Sequence, residues 1–328
     1  MKYIGIDVGA TNLRIGIFDD SISLLKAIKI KKPSIHDEES IANIILINLA
    51  KEMNLNEIKG VGIGAAGLLD LDNGDVFFSS NINVHKIRLV KPIISKLHVP
   101  VLLLNDAVAA AYGEYMLGNN DVNDLVYLSI GTGIGAGIII DGEPLLGRNG
   151  NAHEVGCIVI SPGSNLRCGC GGFGHWEAMA SGANLPRSLF DYAMKNKSRY
   201  TNSSLFNRIL SNSTITAVDI YDEAANNDAL AMDFLDFISK INAAGLASII
   251  NLFDPQVVVL GGSVILNNVN SWISGIKKYL GMYLAPHKYE LRISKHGDAA
   301  GMIGAAAAII KPTPKMRKLI DKYSTMYL

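Results

Sequence analysis

Four short runs hold residues whose types and spacing can do chemistry. The first is Asp7-Val8-Gly9-Ala10-Thr11-Asn12. A tight turn between strands aims several backbone N–H groups one way, and glycine lets a phosphate approach them closely. Thr11 adds a hydroxyl donor. A carboxylate repels phosphate, so Asp7 fits such a site only through Mg²⁺ or its waters. A plain hairpin turn would hold the same residues. The second run is Gly131-Thr132-Gly133-Ile134-Gly135-Ala136-Gly137. Each glycine costs roughly 0.5–1 kcal/mol relative to Ala inside a regular element, so four in alternation predict a turn over 131–137 that opens space for phosphate. No Gly-Lys-Ser/Thr follows, so this is not a P-loop. In the third, Asn105-Asp106 ends an apolar run and opens an Ala-rich one, the place where α/β folds put ligand-facing side chains. A carboxylate there can take a proton from a hydroxyl attacking phosphorus; an ordinary Asx helix cap uses the same residues. The fourth run joins His153-Glu154-Val155-Gly156-Cys157 to the segment 168–177. Cys157, Cys168, Cys170 and His175 supply three thiols and an imidazole, a Cys₃His set suited to tetrahedral Zn²⁺. Glu154 and Glu177 flank that knuckle, as surface glutamates or as groups that it holds in place.

The elements that must position these residues alternate. Residues 4–18 read strand, turn, strand, and residues 125–140 repeat the theme with a glycine-rich turn. Such a repeat predicts two related halves facing each other across a cleft. Residues 41–53 carry a helical apolar pattern, 60–66 and 101–104 read as buried strands, and 106–117 as a helix. Residues 147–182 are loop-rich and hold all three cysteines. A helical region spans 184–247, with a polar Asn/Ser stretch at 195–213. Residues 256–260 form a third buried strand, ended by Gly261-Gly262. A small-residue helix at 299–310 and a basic amphipathic tail at 312–328 complete the chain. Strands alternating with helices give an α/β class.

Composition narrows the function. Thirty basic and thirty acidic side chains cancel, which argues against a nucleic-acid or anionic-membrane partner, since both reward a basic surplus. Apolar residues make up 49% of the 328 positions, enough to exclude disorder. Three cysteines cannot build a disulfide framework, so a reducing, cytoplasmic setting is expected. No signal peptide is visible, and the longest uncharged stretch, 125–140, is too short and too glycine-rich to span a bilayer.

With these pieces in order, the sequence resembles the ROK family (repressors, open reading frames and sugar kinases) within the hexokinase/actin-like ATPase superfamily. The resemblance runs from Ile4 to about Ile310. It is carried in order by Asp7-Val8-Gly9-Ala10-Thr11, Gly62-Ile63-Gly64-Ala65-Ala66-Gly67, Asn105-Asp106-Ala107, Gly131-Thr132-Gly133-Ile134-Gly135, the two knuckle segments and Gly261-Gly262. It implies an α/β fold of two actin-like (ribonuclease H-like) domains with the active site in the cleft between them. The smaller domain would be 1–108, completed by the C-terminal helix around 299–328; the larger, 109–298, would carry the zinc knuckle. The implied activity is ATP-dependent phosphorylation of a hexose or N-acetylhexosamine at the C6 hydroxyl, of the glucokinase/hexokinase or N-acetylmannosamine kinase type. A sugar-responsive repressor and an inactive kinase-like protein are the alternatives within the family. Repressors carry a helix-turn-helix domain ahead of the phosphate turn and often lose phosphate or base residues, whereas Asp7, Thr11 and Asp106 are present here.

The resemblance also assigns roles. Asp106 is similar to the general base, and Asn105, Glu154 and Glu177 match residues that bind sugar hydroxyls, with Gly67 and Asn81 completing that wall. Asp7, Gly9, Thr11, Asn12, Thr132 and Gly133 match the phosphate and Mg²⁺ region, and Gly261 and Gly262 the adenosine contact. ATP, Mg²⁺ and a structural Zn²⁺ are the implied cofactors, and a homodimer or homotetramer the implied assembly. One departure stands out. The family's knuckle reads Glu-x-Gly-His and then Cys-x-Cys-Gly-x-x-Gly-Cys-x-Glu, but here Cys157 replaces the His and His175 the last Cys. The metal set survives, while a histidine that usually also touches the sugar is gone. His153 is a candidate substitute, its alternative being a solvent-facing loop histidine.

Overall fold

The apolar runs become the strands of two five-stranded sheets built to one plan. The computed structural model of the chain describes residues 1–9, 11–31, 37–77, 86–119 and 121–328. Along the chain come β1 (Lys2–Val8), β2 (Asn12–Phe18), β3 (Leu24–Lys31) and β4 (Ile58–Ala65). A small antiparallel sheet follows, of β5 (Leu68–Asp70), β6 (Asp75–Phe77) and β7 (Lys86–Arg88), and then β8 (Val101–Asn105). The second half holds β9 (Leu125–Ile130), β10 (Ile134–Ile140), β11 (Glu143–Pro144), β12 (Val257–Gly261) and β13 (Glu290–Ile293). The large sheets are ordered β3-β2-β1-β4-β8 and β11-β10-β9-β12-β13. In each, the hairpin pair is antiparallel and the last two strands join in parallel. The repeat visible in the sequence is thus a repeat of the whole sheet. β8 and β12 are buried at every residue, as parallel strands covered on both faces must be.

Two helices of small residues set the distance between the halves. Asp106–Gly118 packs on β9 and β10, Ala300–Ile310 packs on β1 and β4, and the two helices pack on each other. Their Ala and Gly residues let backbones come close: a Cβ on Gly113 would stand 2.9 Å from Gly304 Cα. This corrects the reading of 131–137 as one turn. β10 begins at Ile134, so only 131–133 are turn, and Gly137 lies inside a strand where a Cβ would overlap the Ala107 carbonyl. The glycine there makes room for a helix, a tertiary demand. Asp7 and Val8 likewise belong to β1 rather than to the turn. The 184–247 region resolves into helices Leu185–Lys195, Ser204–Leu210, Ala217–Ala225 and Ala229–Phe253. The tail forms a helix, Pro314–Tyr327, that buries Met316, Ile320 and Tyr323 against the first half. Among the described residues no helix is long and apolar enough to cross a membrane.

Candidate active site

Asn105 and Asp106 share the start of a helix, and the structure separates their tasks. Asn105 Oδ1 accepts from the Ala107 N–H at 2.8 Å, so Asn105 is the N-cap. Asp106 Oδ1 accepts from the same N–H at 2.9 Å, while its Oδ2 makes no hydrogen bond to another residue among the described residues. Burial and then the charge of Glu154 push the Asp106 carboxyl above the ordinary carboxylate range, against the pull of the Ala107 N–H. The helix-cap reading is thus met by Asn105, and Asp106 keeps one carboxylate oxygen unbonded among the described residues.

Asp7 stands near Asp106, one residue before the end of β1. It is buried, and burial and then the Asp106 charge push its carboxyl up to about 6, opposed by Arg14. Gly301 packs beside Asp7, and a Cβ there would lie 3.4 Å from Asp7 Cγ. The Gly9 N–H closes the hairpin on the Asn12 carbonyl at 3.0 Å, and Thr11 is exposed beside it. Ala10 and Asn81 lie outside the described residues.

Glu154 and Glu177 continue the acidic row. Glu177 sits in the first turn of helix Trp176–Ala180, and its Oε2 accepts from the Ile134 N–H at 2.9 Å, beside Gly133. Its Oε1 lies 3.5 Å from Cys168 Sγ, and Glu154 Oε2 lies 3.9 Å from Cys157 Sγ. Burial and the Glu177 charge raise the Glu154 carboxyl. The knuckle therefore touches both glutamates through two of its sulfurs. His153 departs from the solvent-facing reading: it is 2% exposed, with Nε2 2.9 Å from the Gly150 carbonyl. Burial holds it neutral, with its pKa lowered to about 4. Gly67, at φ +116°, follows β4 and abuts Val76 of the small sheet.

The donor atoms of Cys157, Cys168, Cys170 and His175 all lie within 4.8 Å of one another. Cys157 and Cys170 sulfurs are 3.6 Å apart, and Cys170 Sγ is 3.2 Å from His175 Nδ1. A tetrahedron with Zn–S near 2.3 Å has corners about 3.8 Å apart, so the set fits a zinc ion in both chemistry and size. Burial raises the Cys157 and Cys168 thiols, Cys168 to about 12, a cost that a bound divalent cation reverses.

On the far side of the 131–133 turn lies a cavity of about 470 Å³, lined by Gly131, Thr132 and Ser263 and by Thr216, Tyr221 and Asn267. Gly262, at φ +83°, lets the chain pass against the Ile130 backbone next to it. Thr216, Tyr221 and Asn267 carry no sequence signal, because separate helices bring them together. Arg14 was also invisible as a site residue. The cross-strand pairing of Asp7 with Arg14 in the first hairpin could have revealed it.

Two sheets of one topology, with a row of carboxylates between them and a cavity beyond, define the actin-like ATPase fold. A model described as the ROK family matches residues 3–311, and the chain belongs to that family. A glucokinase of Pyrobaculum calidifontis is 35% identical over 317 residues, covering 97% of this chain and 98% of its own. One of Aeropyrum pernix is 37% identical over 314 residues, covering 93% and 96%. Among solved structures, a ROK family glucokinase from Streptomyces griseus in complex with glucose and AMPPNP is 31% identical. It superposes with a TM-score of 0.73 over 94% of this chain and 99% of that one.

Proposed function

We propose that this ATP-dependent sugar kinase transfers the γ-phosphoryl group of ATP to the C6 hydroxyl of a hexose, with glucose the first substrate to test. The observation that carries the reading is Asp106: a carboxylate raised by burial, fixed through one oxygen and open at the other, at the head of the acidic row. Its Oδ2 takes the proton of the C6 hydroxyl while that oxygen bonds to the γ-phosphorus. The bond from phosphorus to the bridging oxygen breaks and ADP leaves. Mg²⁺, when bound, neutralises polyphosphate charge, and Asp7 is the residue that would hold it through water. The phosphates would meet Gly9, Thr11, Asn12, Thr132 and Gly133, and the adenosine would enter the cavity beyond Gly261-Gly262.

In this reading Asn105, Glu154 and Glu177, with Gly67, Asn81 and His153, sort the sugar hydroxyls by geometry. A zinc ion in the knuckle would fix the two glutamates, since ligand shells position their neighbours. The domains would divide as 1–108 with 299–328, and 109–298, in a cytoplasmic homodimer or homotetramer. The glucokinase relatives favour glucose. An N-acetylhexosamine such as N-acetylmannosamine is the second class to test. A coupled ADP-release assay over hexoses and N-acetylhexosamines tests the proposal. Sugar-dependent ADP release with a 6-phosphate product supports it, and no sugar-dependent release with any of them refutes it.

A further inference from the structure

Arg14 stands directly opposite Asp7 in the β1–β2 register. Its Nη1 donates to Asp7 Oδ2 at 2.9 Å and its Nη2 to Asp298 Oδ2 at 3.0 Å. Asp298 lies in the turn Gly297–Ala299, between β13 of the second sheet and the helix that packs on the first. One guanidinium thus ties the phosphate-facing carboxylate to the segment by which the chain returns from the second sheet to the first.

That segment is gripped at its other end as well. Glu114 accepts from the Ser294 hydroxyl and, at 3.5 Å, from the His296 N–H, and Ser294 Oγ accepts from the Gly297 N–H at 3.1 Å. Glu114 is fully buried and belongs to the helix that begins at Asp106. Residues 294–298 are therefore attached at one end to the helix of Asp106 and at the other to the partner of Asp7. A flexible lysine would give Asp7 a point charge, whereas the planar guanidinium fixes two carboxylates at set angles. The Arg14 side chain is 18% exposed and that of Asp298 72%, so the fork is largely buried at the Asp7 end and reachable at the other.

We propose that Arg14 is a positioning residue for phosphoryl transfer: it aims Asp7 at the polyphosphate, and Asp298 anchors it, so that Asp7 and Asp106 are aligned through residues 294–298. The inference rests on the reading of Asp7 as the carboxylate that faces the polyphosphate.

The test compares Arg14→Met, Arg14→Lys and Asp298→Asn with the parent chain. Calorimetry with Mg·AMPPNP and with glucose, and the steady-state rates, are measured alongside Tm. Loss of the fork should weaken Mg·AMPPNP binding and lower kcat roughly ten- to a hundredfold, with glucose Kd unchanged. Lysine should recover part of this. Asp298→Asn, a change at an exposed carboxylate, should lower kcat at unchanged Tm. The inference is overturned if Arg14→Met alters only Tm, or if Asp298→Asn matches the parent in both nucleotide affinity and kcat. A parent chain that binds Mg·AMPPNP yet phosphorylates no sugar would instead refute the kinase reading, and the nucleotide affinities of the variants would still decide the role of Arg14.

Discussion

Gly137→Ala is a test of how the fold holds its base. A methyl at Gly137 would lie 2.4 Å from Ala111 Cβ and 2.3 Å from the Ala107 carbonyl oxygen. Carbon–carbon contacts settle at about 3.5–4.0 Å, so the helix Asp106–Gly118 must retreat by roughly 1–1.5 Å over its first two turns. Overpacking of this size costs about 1–3 kcal/mol, and a 1 Å misplacement of a reacting group costs roughly 10²-fold in rate. The expected result is a Tm lowered by several degrees and a kcat down by about two orders of magnitude in the folded protein. Gly135→Ala is the control. Its methyl would sit 3.5 Å from Ala107 Cβ, an ordinary contact, so that variant should keep the parent Tm. Calorimetric or CD melting and ADP-release rates at saturating sugar and ATP provide the readout. A Gly137→Ala protein with parental Tm and kcat would refute the claim that this glycine exists to seat the helix.

Further expectations concern protons and the knuckle. Because Asp106 must be ionised to accept a proton and burial raises its pKa, kcat/KM should fall as pH drops through a window above the ordinary aspartate value of about 3.9. An acid limb at or below that ordinary value would contradict this. Gently purified protein should carry about one Zn²⁺ per chain by elemental analysis, and chelation should raise the sugar KM by freeing Glu154 and Glu177 from Cys157 and Cys168; metal-free protein of parental KM would refute it. The exchange Cys157→His with His175→Cys should keep the zinc and restore one donor to the sugar. A neutral hydrogen bond of about 0.5–1.5 kcal/mol makes the KM roughly two- to thirteenfold lower. An unchanged KM would show the exchange to be silent.

The sequence carried the parts of this site that local chemistry writes. Asn105-Asp106 was legible because an apolar strand ends where an Asx pair opens a helix, and the knuckle because three cysteines and a histidine crowd one loop. The extent of the glycine turn was not legible. Turn-forming and helix-seating glycines look alike in sequence, and the Ala107 backbone that demands Gly137 lies on a separate helix. His153 is buried with its ring bonded to the Gly150 carbonyl, which no spacing announces. The cavity wall of Thr216, Tyr221 and Asn267 assembles only when helices more than forty residues apart in the chain meet. In sequence Arg14 looks like one polar step in an alternating strand; its contacts depend on register with Asp7 and on Asp298, 284 residues away.

Whether Asp106 takes the proton of the sugar hydroxyl is read from glucose phosphorylation by Asp106→Asn at saturating ATP, beside glucose affinity by calorimetry. The amide keeps the size of the carboxylate and an acceptor for the Ala107 N–H, so the helix start and the sugar pocket should survive. The expected kcat is lower by roughly 10²–10⁴-fold, with glucose Kd little changed. A folded Asp106→Asn protein that turns over glucose at close to the parental rate would contradict it.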